Sequence, residues 1–208
     1  MTDTQNKRAV IIEAFVLMIV LQGILELLEW LIAPSVPATR FASQMLSCAL
    51  MCLLTVAVII YARVRKQKLS VFPKAFSKFY IIATCITVLL LIVNPSNFSV
   101  GFAAVKSTVY FSIVTPIYEE LLFRGYIWNR FGKAMDKKSA VYIWNIFLFA
   151  LWHIGYMVPH IIEGNWFAVL TKLAAGAIFG VVLGFIRMRT DNCYITILAH
   201  GIMNLIGI

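Results

Sequence analysis

This chain of 208 residues is too apolar to be a water-soluble globular protein. Hydrophobic residues make up 62% of it and charged residues only 13%, whereas a soluble domain carries about 25% charged residues. The net charge of +9 does not indicate nucleic-acid binding, because Lys and Arg lie between apolar runs without interleaved aromatic residues. The composition therefore excludes a soluble domain and a nucleic-acid-binding protein, and it predicts an integral membrane protein.

The apolar runs predict an all-α fold, a polytopic membrane bundle of about seven transmembrane helices. A hydrocarbon core of about 30 Å needs roughly 20 apolar residues per helix. The predicted spans cover residues 9–33, 41–62, 79–93, 101–118, 140–159, 166–186 and 192–208. As an alternative, the fourth span continues past Glu120 as one longer helix. The first is expected to be retained rather than cleaved as a signal peptide, because it contains Glu13, Glu26 and Glu29 and no small-residue cleavage site.

The positive charges predict the orientation in the membrane. All but three of the 18 Lys and Arg residues lie before the first span or in the second, fourth and sixth loops. The three exceptions are Arg40, Lys106 and Lys172. Because cytoplasmic loops carry the excess of Lys and Arg, we expect a multi-pass protein of the cell membrane with a cytoplasmic amino terminus.

Two adjacent carboxylates, Glu119 and Glu120, lie where the fourth apolar run meets a basic loop. Neighbours on a helix point about 100° apart, so the two are expected to have different partners. Glu120 precedes Arg124 by four residues, the order that favours an ion pair along a helix. Glu119 is then left to face another helix, where a poorly hydrated carboxylate is suited to act as a general base. The alternative is a solvated helix end whose acids balance nearby cations.

Two histidines also lie in apolar spans. His153 follows Phe149 by one turn on the same helix face, and Asn204 follows His200 in the same way. Donors from His200 and Asn204 aimed at one point are suited to hold an oxyanion. The alternatives are a core histidine with satisfied hydrogen bonds and a polar clamp between helices. Taken together with the two carboxylates, the groups predict one shared polar cavity in the cytoplasmic half of the membrane.

These residues resemble the three motifs of the CPBP family, the CAAX-prenyl-endopeptidase and bacteriocin-processing intramembrane proteases. The family patterns EExxxR, FxxxH and HxxxN read here as Glu119-Glu120 to Arg124, Phe149 to His153, and His200 to Asn204. The setting also matches, with Pro116 before the first motif, Gly125 after it, and Gly176, Gly180 and Gly184 before the third. The resemblance covers residues 101–208, so we expect catalytic helices there and amino-terminal helices without a family signature in residues 1–100.

The resemblance implies a role for each motif residue. Glu119 and His153 activate water, and His200 and Asn204 form the oxyanion hole. Glu120 belongs to the same catalytic set, while Arg124 and Phe149 support it. The family has been described both as glutamate-dependent and as metal-dependent. We favour a glutamate mechanism without a cofactor, because the helix-borne HExxH pattern is absent. A divalent metal such as zinc, held by Glu119, His153 and His200, is the alternative.

The expected partners are the lipid bilayer and a peptide or protein substrate in the membrane, either lipidated or not. The resemblance implies an endopeptidase that cuts near the cytoplasmic face, with a CAAX-like, secreted-peptide or bacteriocin-related substrate. Another class of function is also consistent with the sequence: a non-catalytic bacteriocin-immunity or scaffold protein of the same fold. That protein would tolerate alanine at Glu119, His153 and His200.

Overall fold

A computed structural model describes residues 3–95, 98 and 101–207, and this part of the chain is helical without a β-strand. The predicted all-α class is confirmed. The helices are α1 Asp3–Ile32, α2 Arg40–Val64, α3 Lys78–Val93, α4 Phe102–Val109, α5 Thr115–Glu120, α6 Trp128–Ala134, α7 Lys138–Trp152, α8 Val158–Ile162, α9 Trp166–Thr190 and α10 Tyr194–Leu205. The predicted boundary between residues 100 and 101 and the predicted last residue, Ile208, involve positions outside the described ranges.

Four stretches of described helix are long and apolar enough to cross a membrane. They are Gln5–Ser35, Arg40–Val64, Lys138–Ile162 and Trp166–Thr190. Two shorter apolar helices, α3 with 16 residues and α10 with 12, accompany them. A protein that crosses the membrane several times is therefore confirmed, while the total of seven spans stays a prediction.

The first helix has one face buried in the bundle and one face exposed. One face of α1 is buried through Val10, Ala14, Met18 and Leu25, which recur at the three- and four-residue spacing of a helix. The opposite face exposes large apolar side chains, for example Ile19 at 69% exposure. In water such a surface would be an aggregation hazard, so it indicates contact with lipid.

The carboxylates lie on one continuous helix rather than at the end of a span. The segments α4, α5 and α6 are joined by two π-helical segments, Tyr110–Val114 and Leu121–Ile127. The junction residues keep right-handed helical backbone angles, so residues 102–134 form one long helix. The predicted span 101–118 was too short, and the option of a longer helix is confirmed. The helix continues because the charges that follow Tyr118 are buried and paired instead of ending it in water.

Three glycines let α9 pack closely against α7. A Cβ added at Gly180 would lie 3.1 Å from the Ile146 Cα, and one added at Gly176 would lie 2.9 Å from the His153 Nδ1. Small residues four apart allow such close approach of membrane helices. The glycine spacing therefore fixes how near the His153 ring comes to α9.

Candidate active site

The Glu120 carboxylate and the Arg124 guanidinium form the predicted ion pair inside the bundle. Their Oε1 and Nη1 atoms are 2.9 Å apart, and neither side chain is exposed. The guanidinium also lies over the Phe149 ring, 4.0 Å from its centroid. A buried pair of this kind needs every available partner, and Phe149 supplies one as a cation–π contact. Phe149 of the second motif thus contacts the charged pair of the first.

His200 connects the two neighbouring carboxylates. Its Nδ1 lies 3.0 Å from Glu120 Oε1, and its Nε2 lies 3.8 Å from Glu119 Oε2. The His200 side chain is almost fully buried, against the rings of Phe149 and Phe179. The first and third motifs therefore meet around one imidazole, although 80 residues separate Glu120 from His200.

Glu119 faces away from the ion pair, as its predicted direction requires. Its Oε1 accepts hydrogen bonds from the Trp152 indole at 3.0 Å and from the Tyr156 hydroxyl at 3.2 Å. Its Oε2 has only the longer approach from His200 among the described residues. Glu119 is 2% exposed, so two donors hold one oxygen of a buried carboxylate and leave the other oriented toward His200.

His153 is held by its own helix. Its Nδ1 lies 2.7 Å from the Phe149 carbonyl oxygen, and its ring packs edge-on against the Phe149 and Tyr156 rings. Because a carbonyl only accepts hydrogen bonds, Nδ1 carries the proton, and Nε2 of the neutral imidazole is the acceptor. His153 is 8% exposed, and Tyr156 is the contact that it shares with Glu119.

Asn204 makes its described hydrogen bond to a backbone carbonyl and not to a carboxylate. Its amide nitrogen donates to the Phe111 carbonyl at 2.7 Å, in the first π-helical segment. The spacing prediction that His200 and Asn204 share a helix face is consistent with this placement, since α10 packs against the long helix at both residues. Gly201, next to His200, makes the approach close, because a Cβ added there would collide with the Ser112 carbonyl oxygen.

Several polar residues around the site were not predicted from the sequence. Tyr156 contacts Glu119, and its spacing of four from Trp152 was the available signal. Asn145 and Arg187, both buried, donate to the Phe123 and Arg124 carbonyls. Glu13 accepts from Arg130 at 2.8 and 3.0 Å. No sequence signal pairs Glu13 with a residue more than 100 positions away.

The metal alternative depends on how its three predicted ligands are placed. The alternative ligand set was Glu119, His153 and His200. Within the described residues, no three His, Cys, Asp or Glu side chains are placed to hold a metal ion. We therefore derive no step that uses a metal.

The fold and the site define a class of protein: a multi-pass membrane protein with acid, imidazole and amide groups buried among apolar helices. The chain belongs to the CPBP family of intramembrane proteases. Residues 101–206, about half of the chain, match the family model described as type II CAAX prenyl endopeptidase Rce1-like. The matched range contains all three motifs, and it confirms the resemblance. No curated protein and no solved structure matches the chain.

Proposed function

We propose that this protein is an intramembrane endopeptidase in which Glu119 and His153 activate water for attack on a peptide bond. The observation that carries the proposal is the state of Glu119: a buried carboxylate with Oε1 fixed by Trp152 and Tyr156 and Oε2 left without a short hydrogen bond among the described residues. A general base needs such a fixed and available oxygen.

In the proposed reaction the water proton passes to the Glu119 carboxylate while the water oxygen bonds to the scissile carbonyl carbon. The His153 Nε2 acceptor orients the same water, since its Nδ1–H is occupied by the Phe149 carbonyl. The tetrahedral intermediate collapses when the carbon–nitrogen bond breaks. The proton held by Glu119 then goes to the leaving amine.

We assign the oxyanion hole to His200 and Asn204. The His200 Nδ1–H donates to the ionised Glu120, so its Nε2 donates to an oxyanion when the imidazole carries both protons. The Asn204 amide has two hydrogens, and the bond to the Phe111 carbonyl uses one of them. The second hydrogen is assigned to the oxyanion. His200 is held in place by its bond to Glu120, which pairs with Arg124, and by the ring of Phe149.

The proposed site lies near the cytoplasmic face of a seven-span bundle whose amino terminus is cytoplasmic. His200 is six residues from the start of α10, a distance of about 9 Å along a helix. The loop before α10 bonds to the basic second loop, as the Cys193 amide donates to the Ser70 carbonyl at 2.9 Å. Loops rich in Lys and Arg are cytoplasmic by the positive-inside rule.

The proposed substrate is a peptide or protein segment that reaches the site from the bilayer, of a CAAX-like, secreted-peptide or bacteriocin-related type. Apolar or lipidated residues of that segment pack against the aromatic side chains around Glu119, namely Tyr118, Trp152 and Tyr156. The ring centroids of Tyr118 and Trp152 are 5.9 Å apart, and both side chains are buried, so a substrate reaches them only when the helices around them separate. The proposed mechanism is of the glutamate type and uses no cofactor.

The experiment compares the wild type with Glu119→Gln on a library of internally quenched peptides, with and without a lipid group, in liposomes. We expect the wild type to cleave a subset and Glu119→Gln to lose at least about 100-fold in kcat, the scale of a lost general base. Glu26→Gln is the matched control, since Glu26 is a carboxylate of α1 bonded to Gln22 outside the site.

The same assay with a chelator separates the two mechanisms. A glutamate mechanism predicts equal wild-type rates with and without chelator, and a loss that zinc restores would overturn it. Full activity of Glu119→Gln would refute the catalytic assignment. No cleavage by the wild type across the library would favour the non-catalytic immunity or scaffold function instead.

A further inference from the structure

The long helix that carries Glu119 and Glu120 is bonded to its neighbours at its two π-helical segments. Three described hydrogen bonds run from side chains of other helices to its backbone carbonyls. Asn204 donates to Phe111, Asn145 donates to Phe123, and Arg187 donates to Arg124. All three acceptors belong to π segments, Tyr110–Val114 or Leu121–Ile127. The regular segment between them, Thr115–Glu120, holds the carboxylates.

A π segment has a wider turn than an α-helix and commonly occurs at functional sites. Its carbonyls can accept from side chains as well as from the helix backbone. Phe123 shows this directly: its oxygen accepts from the Trp128 amide within the helix and from the Asn145 amide at 2.8 Å. A helix bonded on both sides of a short segment cannot rotate about its axis there without breaking those bonds.

A contribution to the stability of the fold does not explain the asparagine at position 145. It has no exposed surface, and its Oδ1 has no hydrogen-bond partner among the described residues. An unpaired buried oxygen costs about 1–3 kcal/mol, so an apolar residue of similar size would be at least as good for folding. The single described bond of the Asn145 amide is the one to the π segment.

Arg187, on α9, also donates a side-chain hydrogen bond to a backbone carbonyl of the π segment. Its Nε donates to the Arg124 carbonyl at 2.9 Å, and its Nη2 donates to the Asn129 side chain at 2.9 Å. Arg187 is 2% exposed. The planar guanidinium fixes both bonds in one orientation, which a lysine cannot reproduce. Asn145 on α7 and Arg187 on α9 thus hold the two consecutive carbonyls, of Phe123 and Arg124, that end the Glu120–Arg124 turn.

We propose that Asn145 and Arg187 are positioning residues that clamp the π segment Leu121–Ile127 and so fix the rotation of the helix that presents Glu119 and Glu120. The clamp keeps Glu119 directed at Trp152 and Tyr156 and keeps Glu120 against His200. The proposal rests on the proposed peptidase function. Neither residue touches the substrate, and both act through the backbone of the first motif.

The test uses Asn145→Leu and Arg187→Lys in the full-length protein in liposomes, with the library peptide that the wild type cleaves fastest. We expect kcat to fall about tenfold or more, because small displacements of a reacting group have effects of this size. KM should stay within about twofold and the thermal midpoint of Asn145→Leu within about 2 °C, because a positioning role affects the transition state rather than binding or folding.

Tyr142→Phe is the matched control. The Tyr142 hydroxyl donates to the Val181 carbonyl at 2.9 Å, so it is likewise a side-chain-to-backbone bond between helices, here α7 and α9, and no described hydrogen bond joins Tyr142 to the π segment Leu121–Ile127. Its kcat should equal that of the wild type. Unchanged kcat in Asn145→Leu would overturn the proposal. A thermal midpoint that falls in parallel with kcat in both variants would also overturn it, because the residues would then act through stability.

Amide hydrogen exchange of residues 121–127 gives a readout that does not depend on activity. The proposal expects faster exchange there in Asn145→Leu than in Tyr142→Phe, and equal exchange would contradict it. If the wild type cleaves no peptide, the proposed function fails, while the exchange comparison still decides whether the clamp exists.

Discussion

Removal of the buried cation of the first motif should destabilise the protein strongly. In Arg124→Met the Glu120 carboxylate keeps its position without its guanidinium partner. At the observed 2.9 Å the Coulomb attraction is about 6 kcal/mol for an effective dielectric constant of ~20. Most of this attraction offsets the desolvation of the two charges. The bond to the His200 imidazole remains, but removal of the guanidinium partner from a buried ion pair costs about 3–5 kcal/mol.

The assay is thermal unfolding followed by tryptophan fluorescence in a single detergent. For a protein of this size, about 2–4 °C of thermal midpoint corresponds to 1 kcal/mol, so Arg124→Met should unfold roughly 6–20 °C below the wild type. The double variant Glu120→Gln/Arg124→Met should recover most of this loss, because it removes both charges of this buried pair. The reasoning is refuted if the single variant unfolds within about 2 °C of the wild type, or if the double variant is no more stable than the single one.

Two further predictions concern the helix packing and the orientation. Gly176→Ala places a methyl group 2.9 Å from the His153 Nδ1, so it should lower both kcat and the stability of the protein, the latter by about 1–3 kcal/mol. Gly23→Ala is the control, because no atom lies within 4 Å of the added Cβ. Equal effects of the two substitutions would contradict the close contact at Gly176. In a variant without native cysteines, Lys74→Cys should react with a membrane-impermeant maleimide only from the cytoplasmic side and Glu163→Cys only from the outside, and the reverse pattern would contradict the proposed orientation.

The features that follow from local chemistry could be predicted from the sequence. Apolar runs predicted the long helices, because burial in lipid depends on composition more than on any single contact. The spacing of Glu120 and Arg124 predicted their ion pair, since a helix brings residues four apart together. The direction of Glu119 followed from the same geometry. Each of these inferences needed only neighbours within one or two turns.

The features that depend on tertiary packing were not predictable. Hydrophobic periodicity does not reveal a π segment, because one additional residue in a turn shifts the pattern no more than ordinary variation does. The bond from Asn145 to the Phe123 carbonyl depends on where two helices cross. The partners of Glu13 are on other helices. A carboxylate within an apolar run signals that a partner exists, and it does not say which residue that partner is.

The length of α3 has a consequence for the lipid around the proposed site. With 16 residues the helix is about 24 Å long, which is shorter than an average hydrocarbon core of about 30 Å. A short span is accommodated when the bilayer beside it becomes thinner, a response known as hydrophobic mismatch. Thr84 of α3 bonds to Tyr194, the first residue of the helix that carries His200. If α3 is a full span, as the proposed seven-span bundle requires, we expect the membrane to be thinner beside α10, so that a substrate segment travels a shorter distance from water to Glu119.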